Sequence, residues 1–561
     1  MKKVFLLFII ISQFYGAQFT HFNIVKEIRT QNKGMVVSAH PLASEAGAKI
    51  LKIGGNAFDA VIATQLALAV VYPQAGNLGG GGFLVGYKNN GEKFTLDYRE
   101  KAPEKAFKDM YLDKNGKANT DLSQNGHLAV GVPGSVAGFF ETLKHGNLSM
   151  EKLIQPAIDL AEQGFAITER EANLLNSLRE EFIKHNKNKT AFVKSENWKS
   201  GDLLIQKDLA NTLKRIQKEG LKGFYEGKTA ELIASEMKNG NGIISLTDLK
   251  NYKVIQRKPI EFSYKNHEII SMPLPSSGGI LLAQMLKMST FENLENYPQN
   301  STKAVQIMVE AERRAYADRA EYMGDPDFIS DKTQMLISED YLKNRWKSYD
   351  PNKATKSADV GKIIPQTKES TETTHISVLD KFGNAVSVTT TLNGLYGSKV
   401  VVSDAGFFLN NEMDDFSIKP GVPNMFGAVG GEANKIEPGK RMLSSMTPTI
   451  VLKNGKPFIV VGTPGGTTIP TSVFQSIVNV IDFKLSPNWV INAPKFHHQW
   501  LPETVSVEKN FPETTISELE KMNYKIQKIS GIGRTEMIII DENGIITGVA
   551  DGRGDDSVAV E

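Results

Sequence analysis

The chain has 561 residues, 40% hydrophobic and 23% charged, a globular composition that excludes a disordered or fibrous chain. Lysine plus arginine total 65 against 63 acidic residues, so the net charge of +2 gives no electrostatic case for nucleic acid. There is no cysteine, which excludes thiol nucleophiles, thiolate metal sites and disulfides.

In chain order, "MKKVFLLFIIISQFYGAQFT" sets two lysines before the apolar run Val4 to Ile11 and small residues Gly16 and Ala17 after it. This predicts a secretory signal peptide over residues 1–17, too short in its apolar run to span a bilayer. Loss of Lys2 and Lys3 leaves 63 basic residues against 63 acidic ones, a net charge of 0. No later stretch is long and apolar enough to span, so the expected mature chain is exported, periplasmic or extracellular, with no membrane segment. From Gly34 to Asp97 the pattern predicts a strand, a turn and two helices separated by Gly54–Gly55. Residues 104–260 read as mainly helical, with "EREANLLNSLREEFIKHNKN" as one clear helix. A helix from Lys303 to Met323 ends at "GDPDF". Residues 343–372 are polar without a sustained period, and strands resume from His375. The last third gives the strand pair in "TPTIVLKNGKPFIVVGTPGG", a helix from about Ile469 to Phe483, and a closing hairpin in "EMIIIDENGIITGVA". Such alternation predicts layered α/β packing with a mostly antiparallel later portion.

The segment "TKESTETTHISVLD" passes from a polar stretch straight into a strand. "HISVLD" and "NAVSVTT" flank the turn Lys381 to Gly383, and a pairing symmetric about Phe382 sets Thr373 opposite Thr391. Directly opposed side chains lie about 4.5–5.5 Å apart at Cβ. Threonine is also simply common in strands. Cleavage of Glu372–Thr373 would change its meaning, because a free α-amine beside the hydroxyl is a built-in general base. Competing solutions are missing: there is no G-x-S-x-G, since Ser135 in "GVPGSVAG" follows Pro133, and no H-E-x-x-H. His497 and His498 are adjacent and make a poor metal pair.

Other features each carry a bland reading beside a chemical one. "GTPGGTTIP" exposes backbone N–H groups at a helix start, suited to an oxyanion or to a plain strand-to-helix turn. Arg99 ends an apolar strand and suits a carboxylate, or is an ordinary surface arginine. Glu412, Asp414 and Asp415 suit an ammonium group or a metal, or cap a helix. Ser444 and Ser445 offer hydroxyl donors, or form a polar turn. "NLGGGGF", Asn77 to Phe83, lacks G-x-G-x-x-G and reads as a close backbone approach.

Together, "MVVSAHPLAS", "GGNAFDAVIA", "GGGGF", "YREKAP", "GVPGSVAG", "PSSGG", "RRAYADRAEYMGDPDF", "TTHISVLD", "LNNEMDDFS", "LSSMTPTIV", "TPGG" and "NAPKFHHQW" resemble the γ-glutamyltranspeptidase family of N-terminal-nucleophile hydrolases. The likeness covers essentially the whole mature chain. It implies a four-layer αββα sandwich and a precursor that cuts itself at Glu372–Thr373. Residues 18–372 would become a large subunit and 373–561 a small one, both in one fold. By the resemblance, Thr373 attacks the γ-amide carbonyl of a γ-glutamyl donor such as glutathione, Thr391 supports it, and Gly465 and Gly466 line the oxyanion hole. Arg99, Ser444 and Ser445 match residues around the donor's α-carboxylate. Asn393, Glu412 and Asp415 match those around its α-ammonium. Water or an amino-acid or dipeptide amine accepts the acyl group, and no metal or organic cofactor is implied. A lid is expected at Pro420 to Gly431, with Phe426 where many bacterial relatives carry Tyr, which implies a looser latch and puts the balance of hydrolysis and transfer in question.

Two other readings fit less of the residue pattern. A glutaryl- or cephalosporin-type acylase would leave Asp415 and Glu412 without a cationic partner. A non-catalytic binding protein for γ-glutamyl compounds leaves Thr373 unexplained.

Overall fold

The computed structural model describes residues 22–361, 373–419, 421–428 and 430–561. The expected signal segment, residues 1–17, and Glu372 lie outside the described residues.

Among the described residues, fourteen strands build two large sheets. They are β1 (Glu27–Gln31), β2 (Met35–Ser38), β3 (Gly81–Tyr87), β4 (Lys93–Asp97), β5 (Ile255–Arg257), β6 (Ile260–Tyr264), β7 (His267–Ser271), β8 (Thr374–Leu379), β9 (Ala385–Thr391), β10 (Thr449–Lys453), β11 (Lys456–Gly462), β12 (Glu536–Ile540), β13 (Ile545–Ala550) and β14 (Ser557–Val560). The first sheet runs β14-β2-β8-β9-β3-β4-β5 and the second β1-β13-β12-β11-β10-β7-β6. Every pairing inside the two sheets is antiparallel.

Alternation along the strands explains the stacking. In β8, Ile376 and Val378 join a core shared with helices α1 (Pro41–Lys52), α2 (Ala57–Val71) and α3 (Met150–Gln163). Leu379 points the other way, into a core between the sheets with Met35, Val37, Phe83, Ile450, Val460 and Ile538. A third core lies between the second sheet and helices α4 (Gly278–Thr290), α5 (Thr302–Tyr322) and α6 (Ile469–Ile481). Helix, sheet, sheet and helix are thus four successive layers, as the resemblance implies. Both sheets are covered on both faces, so β8 and β9 are buried throughout. Helix α2 is buried on every side, the outcome expected of a helix apolar all round. It starts from a capping box between Asn56 and Asp59.

The strand and two helices expected within Gly34 to Asp97 are β2, α1 and α2. The strand pair of the last third is β10 and β11, followed by α6. The stretch expected as one helix over "EREANLLNSLREEFIKHNKN" is instead two, Glu169–Ser177 and Arg179–His185. The break is at Leu178, which leaves the helical region at φ −103°, ψ 4°. The closing hairpin is β12 and β13, but β14 follows it and crosses to the edge of the first sheet beside β2. No described helix is long and apolar enough to cross a membrane.

Candidate active site

Chain chemistry at the hairpin turn fixes the register of β8 and β9. Asp380 Oδ1 accepts from the backbone N–H of Phe382 and Asn384, both at 2.9 Å, and Gly383 takes φ +92°. The other carboxylate oxygen of Asp380 accepts from Ala57 N in the first turn of α2, at 3.0 Å, where the helix dipole favours negative charge. The resulting pairs run from Leu379 with Ala385 to Thr374 with Thr390, symmetric about Phe382 as the sequence predicts. One further step brings Thr373, just before β8, beside Thr391 at the end of β9. Both are 3% exposed.

The same face of the hairpin carries polar groups that bind the two sheets together. His375 Nδ1 lies 2.9 Å from Thr389 Oγ1, and its Nε2 is 3.2 Å from Ser377 Oγ. Ser377 Oγ donates to Glu536 O at 3.0 Å, and Ser387 Oγ donates to Val461 O at 3.0 Å. Burial drives the His375 imidazole down to about 3, so it stays neutral. Strand β11 passes against this ring and leads directly into the turn at Gly465 and Gly466, which is how that turn arrives beside Thr373. Gly465 has φ +142° and Gly466 φ +55°, backbone that residues with side chains rarely adopt.

The glycine run Gly79 to Gly82 packs against β9. A Cβ on Gly80 would lie 2.1 Å from Thr391 O, and one on Gly79 2.2 Å from Phe408 O. Asn77 Nδ2 donates to Thr391 O at 3.0 Å and to Thr390 Oγ1 at 3.2 Å, while its Oδ1 accepts from Gly80 N and Ser135 Oγ. Ser135 is therefore a buried brace for the glycine loop. Thr391 Oγ1 accepts from Asn393 N at 2.8 Å.

These elements bound a cleft lined by Arg99, Arg319, Thr373, Thr391, Asn393, Asp415, Asn424, Phe426, Ser444, Ser445, Met446, Gly466, Thr467 and Ile469. Eight of the expected residues meet there. Glu412 does not line it; it sits behind Arg99, with Oε2 2.6 Å from Nη1, and neither of its oxygens takes an aligned hydrogen bond among the described residues. Gly465 borders a neighbouring wider cleft with Tyr72, Gln74, Leu395, Gly533 and Arg534.

Arg99 is 1% exposed and pairs with Asp415 Oδ2 at 2.5 Å as well as with Glu412. Glu100 lies 3.6 Å away. Burial pushes the Glu412 carboxyl well above the usual range and raises Asp415 too, against the pull of the Arg99 charge. Burial likewise takes Glu100 up to about 8, again opposed by Arg99. Asp415 Oδ1 accepts from Asn424 Nδ2 at 2.9 Å, and Asp414 Oδ2 accepts from Met425 N at 2.8 Å. The segment read as a lid is thus tied down to the acidic loop. Phe426 is 4% exposed, its ring fills the space beside Gly466, and its carbonyl accepts from Gln499 Nε2 at 3.4 Å.

Arg319, Asn424, Met446, Thr467 and Ile469 were not singled out from the sequence. Arg319 lies in the last turn of α5, whose residues from Ala304 to Ala320 are all buried. Arg313, Arg314, Glu310, Glu312 and Asp318 share this helix, so its sequence alone does not set Arg319 apart.

The profile of the family described as Gamma-glutamyltranspeptidase matches residues 43–561. The chain belongs to the γ-glutamyltranspeptidase family. It is an enzyme of that family, and the relatives carry the same reading. The chain is 45% identical over 549 residues to the glutathione hydrolase proenzyme of Escherichia coli (strain K12), covering 97% of this chain and 94% of the relative. Among solved structures, it is similar to the cephalosporin acylase from Bacillus halodurans at a TM-score of 0.84 and 26% identity, covering 96% of this chain and 97% of that one. It is also similar to the Helicobacter pylori γ-glutamyltranspeptidase at 48% identity and a TM-score of 0.58, covering 59% of this chain and 96% of that one.

Proposed function

We propose that the chain is an exported γ-glutamyl hydrolase/transferase made as a precursor, which cuts its own Glu372–Thr373 bond. Residues 18–372 form the large subunit and 373–561 the small one. The observation that carries the reading is that Thr373 and Thr391 share one small cleft with Arg99, Asn393, Asp415, Ser444, Ser445 and Gly466. Hydroxyl and guanidinium donors together with the Asp415 carboxylate suit the zwitterionic head of a γ-glutamyl group, with the threonine placed for the distal carbonyl.

In the first step Thr373 Oγ attacks the γ-carbonyl of the donor while its freed α-amine takes the hydroxyl proton. The oxyanion is met by backbone N–H at Gly466, with Gly465 completing the strained turn. Collapse expels the amine of the donor, which takes the proton back, and leaves a γ-glutamyl ester on Thr373. Water, or the amine of an amino acid or dipeptide, then attacks the ester by the reverse path. Thr391 keeps the nucleophile oriented. Asp415 and Asn393 receive the α-ammonium at the cleft wall, and Glu412 supports it from behind Arg99, its Oε2 2.6 Å from Nη1. Arg99, Ser444 and Ser445 receive the α-carboxylate. Glutathione fits this site as donor. The chemistry is complete without a metal or an organic cofactor.

Mass analysis and N-terminal sequencing of purified protein test the cut: two fragments, one beginning at Thr373, are expected. Thr373→Ala is expected to stay one chain and to release no glutamate from glutathione. Wild-type-like turnover by that variant would sink the assignment.

The likeness to a cephalosporin acylase favours a second reading, hydrolysis of a glutaryl side chain. Such a substrate has no ammonium for Asp415 and Glu412. Faster release from a γ-glutamyl anilide than from a glutaryl anilide is expected; the opposite order would favour the acylase.

A further inference from the structure

The chain has 17 methionines and no cysteine, so thioethers are its only sulfur. Most of them are buried, Met35, Met272, Met413 and Met537 completely. Among the described residues, Met110, Met335, Met425 and Met522 keep some exposure. Met110 and Met522 pack against apolar cores, and Met335 lies at the surface. Met425, half-buried in the segment read as a lid, has its sulfur between two amides. Its Sδ accepts from Asn393 Nδ2 and from Asn411 Nδ2, both at 3.6 Å.

The donors are fully spent. Each amide gives its other N–H to a carbonyl: Asn393 Nδ2 to Asn411 O at 3.0 Å, and Asn411 Nδ2 to Gln124 O at 2.8 Å. The Met425 backbone is fixed as well, its N–H donating to Asp414 Oδ2 at 2.8 Å. Its methyl end fits because residue 394 is glycine, where a Cβ would lie 2.9 Å from Met425 Cε. The thioether is thus held against the side chain of Asn393, which lines the cleft with Thr373 and whose backbone N–H bonds Thr391 Oγ1.

Oxidation would break this fit. A thioether sulfur is a weak acceptor, and a sulfoxide carries a polar oxygen in its place. Oxygen joins sulfur at a lone pair, and both amides are aimed at the lone pairs. With each nitrogen only 3.6 Å from the sulfur, the added oxygen falls inside the roughly 2.9 Å that an N–H···O bond keeps. One amide must then shift. Movement of Asn393 alters the cleft wall directly, and movement of Asn411 loosens Gly394, whose N–H it accepts at 2.8 Å.

We propose that Met425 is a peroxide-sensitive modification site whose sulfoxide impairs the cleft reversibly. A sulfur lone pair takes the distal oxygen of a hydroperoxide and forms the S–O bond. The O–O bond breaks, and its electron pair and the proton of the transferred oxygen end on the leaving oxygen, released as water or an alcohol. Sulfur is oxidised and the peroxide reduced. In reverse, a sulfoxide reductase with a dithiol donor removes the oxygen as water and leaves the donor as a disulfide. This rests on the γ-glutamyl reading of the cleft and adds a control to it.

The test treats purified protein with graded hydrogen peroxide, maps the oxygen gained at each methionine by peptide mass, and follows release from a γ-glutamyl anilide. Met425 is expected to oxidise with exposed Met335 and ahead of Met446, which lines the cleft but is 2% exposed. Its oxidation should lower kcat/KM in step, by roughly 10-fold, the scale of one buried hydrogen bond lost. Methionine sulfoxide reductase with dithiothreitol should restore the rate. Met425→Leu keeps the shape without the sulfur; measured against its own untreated rate, it should change by less than about 2-fold at the same dose. Met335→Leu should stay as sensitive as wild type and carries the comparison if Met425→Leu does not fold. An unmodified Met425 when Met335 is fully oxidised, a full Met425 sulfoxide with an unchanged rate, undiminished sensitivity of Met425→Leu, or protection by Met335→Leu would each overturn the proposal. A wild-type protein that turns over no γ-glutamyl anilide would instead count against the reading of the cleft. Limited proteolysis then decides: oxidation should speed cutting beside Met425 and reduction should reverse it, and an unchanged pattern overturns the role of Met425.

Discussion

The imidazole of His375 occupies the space that a side chain at Gly462 would need: a Cβ on Gly462 would lie 2.2 Å from His375 Cε1. The two residues belong to facing sheets. One is two positions after Thr373, and the other is three positions before Gly465. Their contact sets how far Thr373, the proposed nucleophile, stands from the turn proposed to meet the oxyanion. Gly462→Ala is expected to force the sheets apart, lowering stability by about 1–3 kcal/mol and slowing the cut before Thr373. Urea unfolding and the fraction of cleaved chain over time measure both. Wild-type values for each would mean that the ring simply gives way.

Asn77 reaches Thr391 only through the backbone, so its removal should act on the nucleophile and leave binding nearly intact. Asn77→Ala strips the donor from Thr391 O and the acceptor from Gly80 N and Ser135 Oγ. The expected result is a fall in kcat of roughly 10-fold or more with KM within about 3-fold, together with a loss of about 1–3 kcal/mol in stability. A change confined to KM would contradict this.

The lid segment is tied through Asn424, which donates to Asp415 and accepts from Phe426 N and Ala428 N, both at 3.0 Å. Asn424→Ala should free that turn and leave Asp415 with one donor fewer. KM for γ-glutamyl donors is expected to rise about 5- to 20-fold. Because a hydrogen bond to the charged form is lost, the pH at which Asp415 ionises should move up. The acid limb of kcat/KM against pH should shift to higher pH by the same displacement. An unshifted limb would separate Asp415 from that titration.

Buried histidines give a pH signature of their own. Burial holds His497 at about 4, below its ordinary 6.5, and a hydrogen bond with Gln499 only partly opposes it. Between those values the unfolded chain takes up a proton that the folded one refuses. The stability tied to neutral His497 is therefore present above pH 6.5 and lost as pH falls towards 4. Raised carboxyls such as Asp414, taken to about 6 by burial, act in the opposite sense, because there the folded chain keeps the proton. A difference between two proteins isolates the histidine. From pH 6 to 4.5, the stability of His497→Gln should fall less steeply than that of wild type, by about 1.4 kcal/mol per pH unit. Parallel curves would mean that His497 titrates in the folded protein as it does in the unfolded one.

Local chemistry was legible in the sequence where the deciding atoms are close in the chain. The turn from Asp380 to Asn384 fixes its own hydrogen bonds, so the symmetric register and the neighbours Thr373 and Thr391 could be read in advance. Helix α2 and the pair β10 and β11 followed from periodicity for the same reason. Arg319 was hidden because its meaning depends on Ser277 and on Ser445, 126 positions away. The division of Arg99 between Glu412 and Asp415 is equally a product of segments more than 300 residues apart. Leu178 shows the opposite limit: a helical composition runs through it, and the backbone still leaves the helical region there.

The order of the first sheet has a last consequence. Strand β8 is hydrogen-bonded on one side to β2 and on the other to β9, and β9 is bonded on to β3. The proposed break before Thr373 would leave two chains interleaved in one sheet, β14, β8 and β9 on one and β2, β3, β4 and β5 on the other. Covalent continuity is needed to bring those strands together at high effective concentration, and it becomes dispensable once they have paired. On that proposal the precursor is its own assembly jig, and the two products would be partners without ever having been separate folding units.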